Sequence, residues 1–129
     1  MSSVEVSFPG GVRVDATFRG LTVQTDQPEP LGTNTAMSPY DLFMASLATC
    51  AGFYALRFCQ QRDLSTEGLG ISLTPVRKEG EKKIGLMKLD VRLPEGFPEK
   101  YHEAILRAVD QCAVKKALHE PPDFEVKIV

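Results

Sequence analysis

Polar and apolar positions alternate at the start of the chain, where Val4, Val14, Ala16 and Phe18 sit among polar neighbours and glycines interrupt at Gly10-Gly11 and Gly20. A period of two broken by glycine predicts short antiparallel strands over residues 4–8, 11–18 and 21–25. Between residues 26 and 36 the composition turns to Asp, Pro, Gly, Thr and Asn. This predicts a long loop fit to rim a functional site. Ser38, Pro39 and Asp41 then mark a helix start: a serine caps free N–H groups, proline is tolerated at the first helical position, and an acid suits the first turn.

The helix predicted from there runs over residues 38–62, unusually long for so short a chain. At 100° per residue Phe43, Leu47, Cys50 and Tyr54 share a stripe, while Ala45, Ala48, Ala51, Gly52 and Ala55 keep much of the remaining surface thin. Such a helix can be approached closely on several sides. It belongs at the centre of a fold or at a dimer seam, and its composition also suits an ordinary buried helix.

Two more strands follow over 69–76 and 84–93, joined by a charged hairpin tip at Arg77 to Lys83, with Met87, Leu89, Val91 and Leu93 on the apolar face of the second. After the turn Pro94-Glu95-Gly96-Phe97, a second amphipathic helix carries Tyr101, Ile105, Ala108 and Cys112 near one stripe. Residues 113–119 continue it or form a short helix of their own, with Val114 and Leu118 inward. Pro121-Pro122 stops the helix, and 124–129 reads as a final strand. Strands that are mostly hairpin neighbours, with helices packed on them, give an α+β fold with a largely antiparallel sheet.

With 129 residues the chain is expected to be a single domain over 1–129. A formal charge of −2 provides no broad positive field, which disfavours nucleic acid. The N-terminus shows no basic region followed by an apolar run, and the apolar stretch 42–58 holds Ser46, Thr49 and Arg57, so neither a signal peptide nor a membrane span is expected. A cytoplasmic location follows. In a reducing compartment three dispersed cysteines are poor candidates for structural disulfides or a zinc site, and no metal or cofactor is expected.

Those cysteines are therefore buried or reactive thiols. Cys50 lies in mid-helix among small neighbours; Cys59, nine positions on, is half a turn out of phase and cannot share its face. Only a thiolate is a nucleophile, so activators are needed. Arg13, and after it Arg19, are the candidate guanidiniums, and Asp41 and Glu67 are acids able to hold one. His102 and His119 sit in no hydrolase motif, and Gly10-Gly11 lacks the lysine and helix of a phosphate loop.

The run Ser38-Pro39-Tyr40-Asp41-Leu42-Phe43-Met44-Ala45-Ser46-Leu47-Ala48-Thr49-Cys50 resembles the long-helix motif of the OsmC/Ohr family of osmotically induced and organic-hydroperoxide-resistance proteins. Asp110-Gln111-Cys112-Ala113-Val114-Lys115-Lys116-Ala117-Leu118 resembles that family's second cysteine motif, and Leu93-Pro94-Glu95-Gly96-Phe97 follows its layout between the two. The resemblance implies an intertwined homodimer, with sheets wrapped around two long helices and active sites at the subunit interface. It implies Cys50 as the thiolate that attacks a hydroperoxide, Cys112 as the resolving thiol, Arg13 and Asp41 as supporting residues, and an external dithiol reductant. Tyr40 stands where the organic-hydroperoxide branch has glutamate, with the acid one place later at Asp41, and Ala113 stands where proline often follows the second cysteine. This resembles the less characterised OsmC-like branch. The rival reading is a dimeric, non-catalytic binding protein for a small apolar or acyl ligand, and a Cys50 thiol with a raised pKa in an apolar pocket would mark it.

Overall fold

A computed structural model describes residues 2–129; Met1, the first residue of the expected single domain, lies outside them. The chain is α+β, in the order β1 (Glu5–Gly10), β2 (Arg13–Phe18), β3 (Leu21–Thr25), α1 (Pro39–Gln61), β4 (Gly70–Arg77), β5 (Ile84–Arg92), a 3-10 turn (Glu99–Tyr101), α2 (His102–Val109) and α3 (Ala113–His119). The described residues form two compact units, 2–45 and 46–129, which divide within α1.

In the first unit β1, β2 and β3 make an antiparallel sheet in chain order. Val6, Ala16 and Val23 fall in register across it, so one face is apolar, and Val6, Leu21 and Val23 on that face are exposed. The β2–β3 turn is Arg19-Gly20, both with positive φ, at 52° and 78°. Such turns match the twist of the flanking strands. Arg19 is therefore a turn residue, not a strand residue, and its guanidinium lies 5.0 Å from the Phe18 ring centroid.

The start of α1 follows the sequence closely. Asp41 N–H donates to Ser38 Oγ at 3.2 Å, and Ser38 N–H donates to Asp41 Oδ2 at 3.3 Å. This reciprocal capping box satisfies donors that the first turn leaves free.

In the second unit β4 and β5 form an antiparallel hairpin, Leu73 opposite Leu89 and Ile71 opposite Val91. The core is Ala51, Ala55, Phe58 and Cys59 of α1 against Ile105 and Val109 of α2, with Ile71, Leu89 and Val91 of the hairpin packed on it. The buried stripe of α1 is thus Leu47, Ala51, Ala55, Phe58 and Cys59. The small side chains let the neighbouring elements close on the helix. By length and composition alone α1 could cross a membrane, which corrects the expectation that this stretch falls short of a span. Its fully buried Ala51, Ala55 and Cys59 give it the place of a core helix in this unit.

Three expectations fail at the C-terminal end. Cys112 does not lie on the second helix: α2 ends at Val109, Cys112 has an extended ψ of 121°, and residues 113–119 form a short helix of their own, α3, one of the two alternatives expected. The final strand over 124–129 is not formed. Residues 121–129 have no regular structure, and Phe124 (87% exposed), Val126 and Ile128 all face solvent. A strand needs an edge to pair with, and Pro121-Pro122 offers no N–H. Leu118, expected inward, is also exposed.

Candidate functional site

Cys50 projects from α1 beside the break between α2 and α3, and there it meets Cys112. Cys112 stands at the N-cap position of α3, and the N–H groups of Val114 and Ala113 at the start of that helix act on the Cys50 sulfur and favour its thiolate. The Cys112 thiol stands beside the same atom, with the Cys50 sulfur and the Leu47 carbonyl oxygen as alternative acceptors for its one S–H. Burial alone would push the Cys50 thiol up. The Val114 N–H, the Cys112 S–H and the Ala113 N–H outweigh it and hold Cys50 below an ordinary cysteine.

Cys112 moves the other way. It is 1% exposed, and burial, with the neighbouring Cys50 thiolate adding to it, raises its pKa. Its sulfur also lies 4.0 Å from the Leu47 carbonyl oxygen. The turn that carries it is held from α3: Lys115 pairs with Asp110, and Lys116 Nζ donates to Gln111 Oε1 at 2.9 Å. The Lys115 contact, first by hydrogen bond and then by charge, keeps the Asp110 carboxyl below its ordinary range. Two neighbouring thiols with pKa values pushed apart suit a nucleophile and a partner that waits as thiol.

Cys59 is excluded from this pair by position. It is fully buried in the core with Ala51 and Ala55, and burial raises its pKa, with Arg62 opposing in part.

Two hollows lie in this unit, one of them against Cys112. An apolar cavity of about 340 Å³ is lined by Leu47, Leu73, Met87, Leu89 and Val91 and reaches Cys112. A wider groove of about 690 Å³ runs between α1 and α2 past Tyr54. The expected hydrocarbon wall of Phe43, Met44, Leu47 and Tyr54 is therefore divided: Leu47 lines the first hollow, Tyr54 the second, and Phe43 and Met44 belong to the first unit.

Within that first unit, Arg13 lines a hollow of about 440 Å³, and its Nε is shielded from solvent with no acceptor in reach. Asp41 is occupied by the helix cap described above. Glu67, in the second unit, is exposed in the turn before β4.

The residue that sequence reasoning missed is Asp26, 1% exposed. Its Oδ1 accepts the Gln27 N–H at 2.8 Å; its Oδ2 accepts the N–H and hydroxyl of Thr33 at 3.2 and 2.7 Å, and those of Thr35 at 3.1 and 2.8 Å. The Thr33 hydroxyl, then the Thr35 and Gln27 N–H groups, hold its carboxyl far below the usual range against the opposing effect of burial. Gly32 completes the cradle: a Cβ there would stand 2.6 Å from Asp26 Oδ1 and collide with the Gln27 carbonyl. The signal was an aspartate followed by threonines within ten positions, side chains that bond nearby backbone.

Among the described residues no group of three or more His, Cys, Asp or Glu is placed to hold a metal ion. The fold and the adjoining thiols define a class: a small α+β protein with a cysteine pair set between a long helix and a following short one. The profile of the OsmC-like protein family matches residues 32–127, and the chain belongs to that family. Among solved structures it is similar to an osmotic stress induced and detoxification response protein from Psychrobacter arcticus 273-4, at TM-score 0.74 and 21% identity over 91% of this chain and 88% of that one. It is similar to an OsmC-like protein from Mycoplasma pneumoniae at TM-score 0.67 and 15% identity, over 94% and 89% of the two chains. An organic hydroperoxide resistance protein OsmC from Legionella pneumophila matches at TM-score 0.56 and 18% identity, over 92% and 88%. No curated protein matches the chain.

Proposed function

We propose that this protein is a thiol peroxidase that reduces organic hydroperoxides through Cys50, with Cys112 as the resolving thiol. The observation that carries the reading is the place of the Cys50 sulfur beside Cys112 and the start of α3, where the Val114 N–H, the Cys112 thiol and the Ala113 N–H hold its pKa below that of an ordinary cysteine. The thiolate attacks the distal peroxide oxygen, the O–O bond breaks, and the alkoxide leaves and takes up the proton that Cys50 had released. Cys50 is then a sulfenic acid. Cys112 condenses with it, forming the disulfide and releasing water. A dithiol reductant restores both thiols and leaves as its own disulfide.

Membership of the OsmC family, and the likeness to a hydroperoxide resistance protein, support this reading. Arg13 keeps its place as the supporting guanidinium on the strength of the resemblance and of its unpaired Nε. Asp41 is proposed in the same role only through the family pattern, since its carboxylate is used by the helix cap. The 340 Å³ apolar cavity supports the rival binding reading, but a thiol held below its ordinary pKa favours chemistry at Cys50. One equivalent of cumene hydroperoxide on reduced protein should give a Cys50–Cys112 disulfide by non-reducing peptide mapping. A dominant bond to Cys59, or no bond at all, would count against the mechanism.

The working form is proposed to be a homodimer. Leu56 of α1 is exposed, the apolar face of β1–β3 is open, and Phe124, Val126 and Ile128 alternate with Glu125 and Lys127 as an unpaired strand would. Each such side chain contributes about 1.5–3 kcal/mol when fully buried, so leaving them all in water is a large cost. Sedimentation at micromolar concentration should give twice the chain mass, and deletion of residues 124–129 should shift it towards monomer. A monomeric full-length chain would remove this part of the proposal.

A further inference from the structure

The groove between α1 and α2 has a composition unlike the rest of the chain. Arg57 of α1, Arg62 just beyond its end and Arg107 of α2 line it, no carboxylate among the described residues does, and the amides of Gln61 and Gln111 lie beside them. In a chain of net charge −2 this is a local reversal of sign. Arg62 is fixed, its guanidinium 3.6 Å from the Phe58 ring centroid and its Nη1 donating to the Phe58 carbonyl at 3.2 Å. Arg57 meets only a neutral partner, Gln60 Oε1 at 2.8 Å. Arg107 stands 4.0 Å from Glu103, with both side chains largely in water, and that contact is weak.

The remaining lining is hydrocarbon: the rings of Phe53, Tyr54 and Phe58 on α1, and Ala104 and Ala108 on α2, whose small side chains keep that wall low. A volume of about 690 Å³ is in the range of small-molecule sites. Neither thiol lines the groove; Tyr54 is one helical turn beyond Cys50 and Gln111 is the sequence neighbour of Cys112.

We propose that this groove binds a small amphipathic anion, its carboxylate or phosphate head held by Arg57 and Arg107 and its apolar body laid along the rings of Tyr54 and Phe58. Guanidinium forks match both headgroups, and the rings take the chain. The proposal concerns binding and is tested without peroxide, so its failure is separate from failure of the peroxidase reading. Octanoate, octyl phosphate and octanol are titrated by calorimetry into the reduced full-length protein, and into Arg57→Gln, Arg107→Gln and the double variant. These exposed substitutions should leave the melting temperature unchanged. One or both anions should bind about tenfold more tightly than octanol, the double variant should remove that preference, and salt should weaken the anion but not the alcohol. Octanoate alone or octyl phosphate alone showing the preference decides which headgroup is taken. Equal binding of anion and alcohol, or a preference that survives the double variant, overturns the proposal.

Discussion

Cys50→Ser is expected to bring consumption of cumene hydroperoxide down to the uncatalysed background, a loss of about three orders of magnitude or more, because a serine hydroxyl is not ionised under conditions that ionise this thiol. Cys112→Ser should behave differently. It should retain the first turnover, lose the later ones, and accumulate a Cys50 sulfenic acid that dimedone traps. A third variant separates the two parts Cys112 is proposed to play. Its S–H is one of the donors that lower the Cys50 pKa, and burial and the nearby thiolate keep its own pKa raised. Serine keeps a donor at that place and alanine does not. The pH midpoint of Cys50 alkylation should therefore lie below that of an ordinary cysteine in wild type, stay low in Cys112→Ser, and rise in Cys112→Ala. Alkylation of Cys50 with an unshifted midpoint, or peroxide consumption that survives Cys50→Ser, would end the enzyme reading.

Much of the scaffold for that pair is legible in the sequence. Ser38, Pro39 and Asp41 gave the helix start because capping is local chemistry, and the cap formed as written. The two hairpins followed from period-two patterning and turn glycines. The exclusion of Cys59 needed only the helical angle. Where the reading fell short, the deciding contacts are made by backbone or by distant partners. Arginines were sought as activators of Cys50, and beside them the N–H groups of Ala113 and Val114 act on its sulfur, which no side-chain pattern encodes. They are free only because the chain breaks at Cys112, and an apolar stripe running through Ala108 and Cys112 hides that break. The strand expected at 124–129 has the right alternation, but alternation does not supply an edge to pair with. The long loop was recognised as a loop, and its organising acid was read as one loop former among several.

That acid gives the second large effect. Asp26→Asn should release the loop it holds, because Oδ2 alone accepts four hydrogen bonds from Thr33 and Thr35. An amide nitrogen at that place would point a donor at two backbone donors, and turning the amide over only moves the conflict to the Gln27 N–H. Bonds to a charged acceptor are the stronger kind, so backbone hydrogen exchange at Thr33 and Thr35 should quicken by at least about tenfold in the variant. The sign of the pH dependence follows from the same contacts. The folded-state pKa of Asp26 lies below its unfolded value, near 3.9 for a free aspartate, so the stabilisation is complete above that value and is lost as pH falls towards the folded one. Wild-type protection at Thr33 and Thr35, corrected for intrinsic exchange, should therefore hold from pH 7 down to about 4.5 and fail only in stronger acid. The variant should already show the unprotected behaviour at pH 7. Equal protection in the two proteins at pH 7 would mean that the carboxylate does not hold the loop, and that the turns on either side of it suffice.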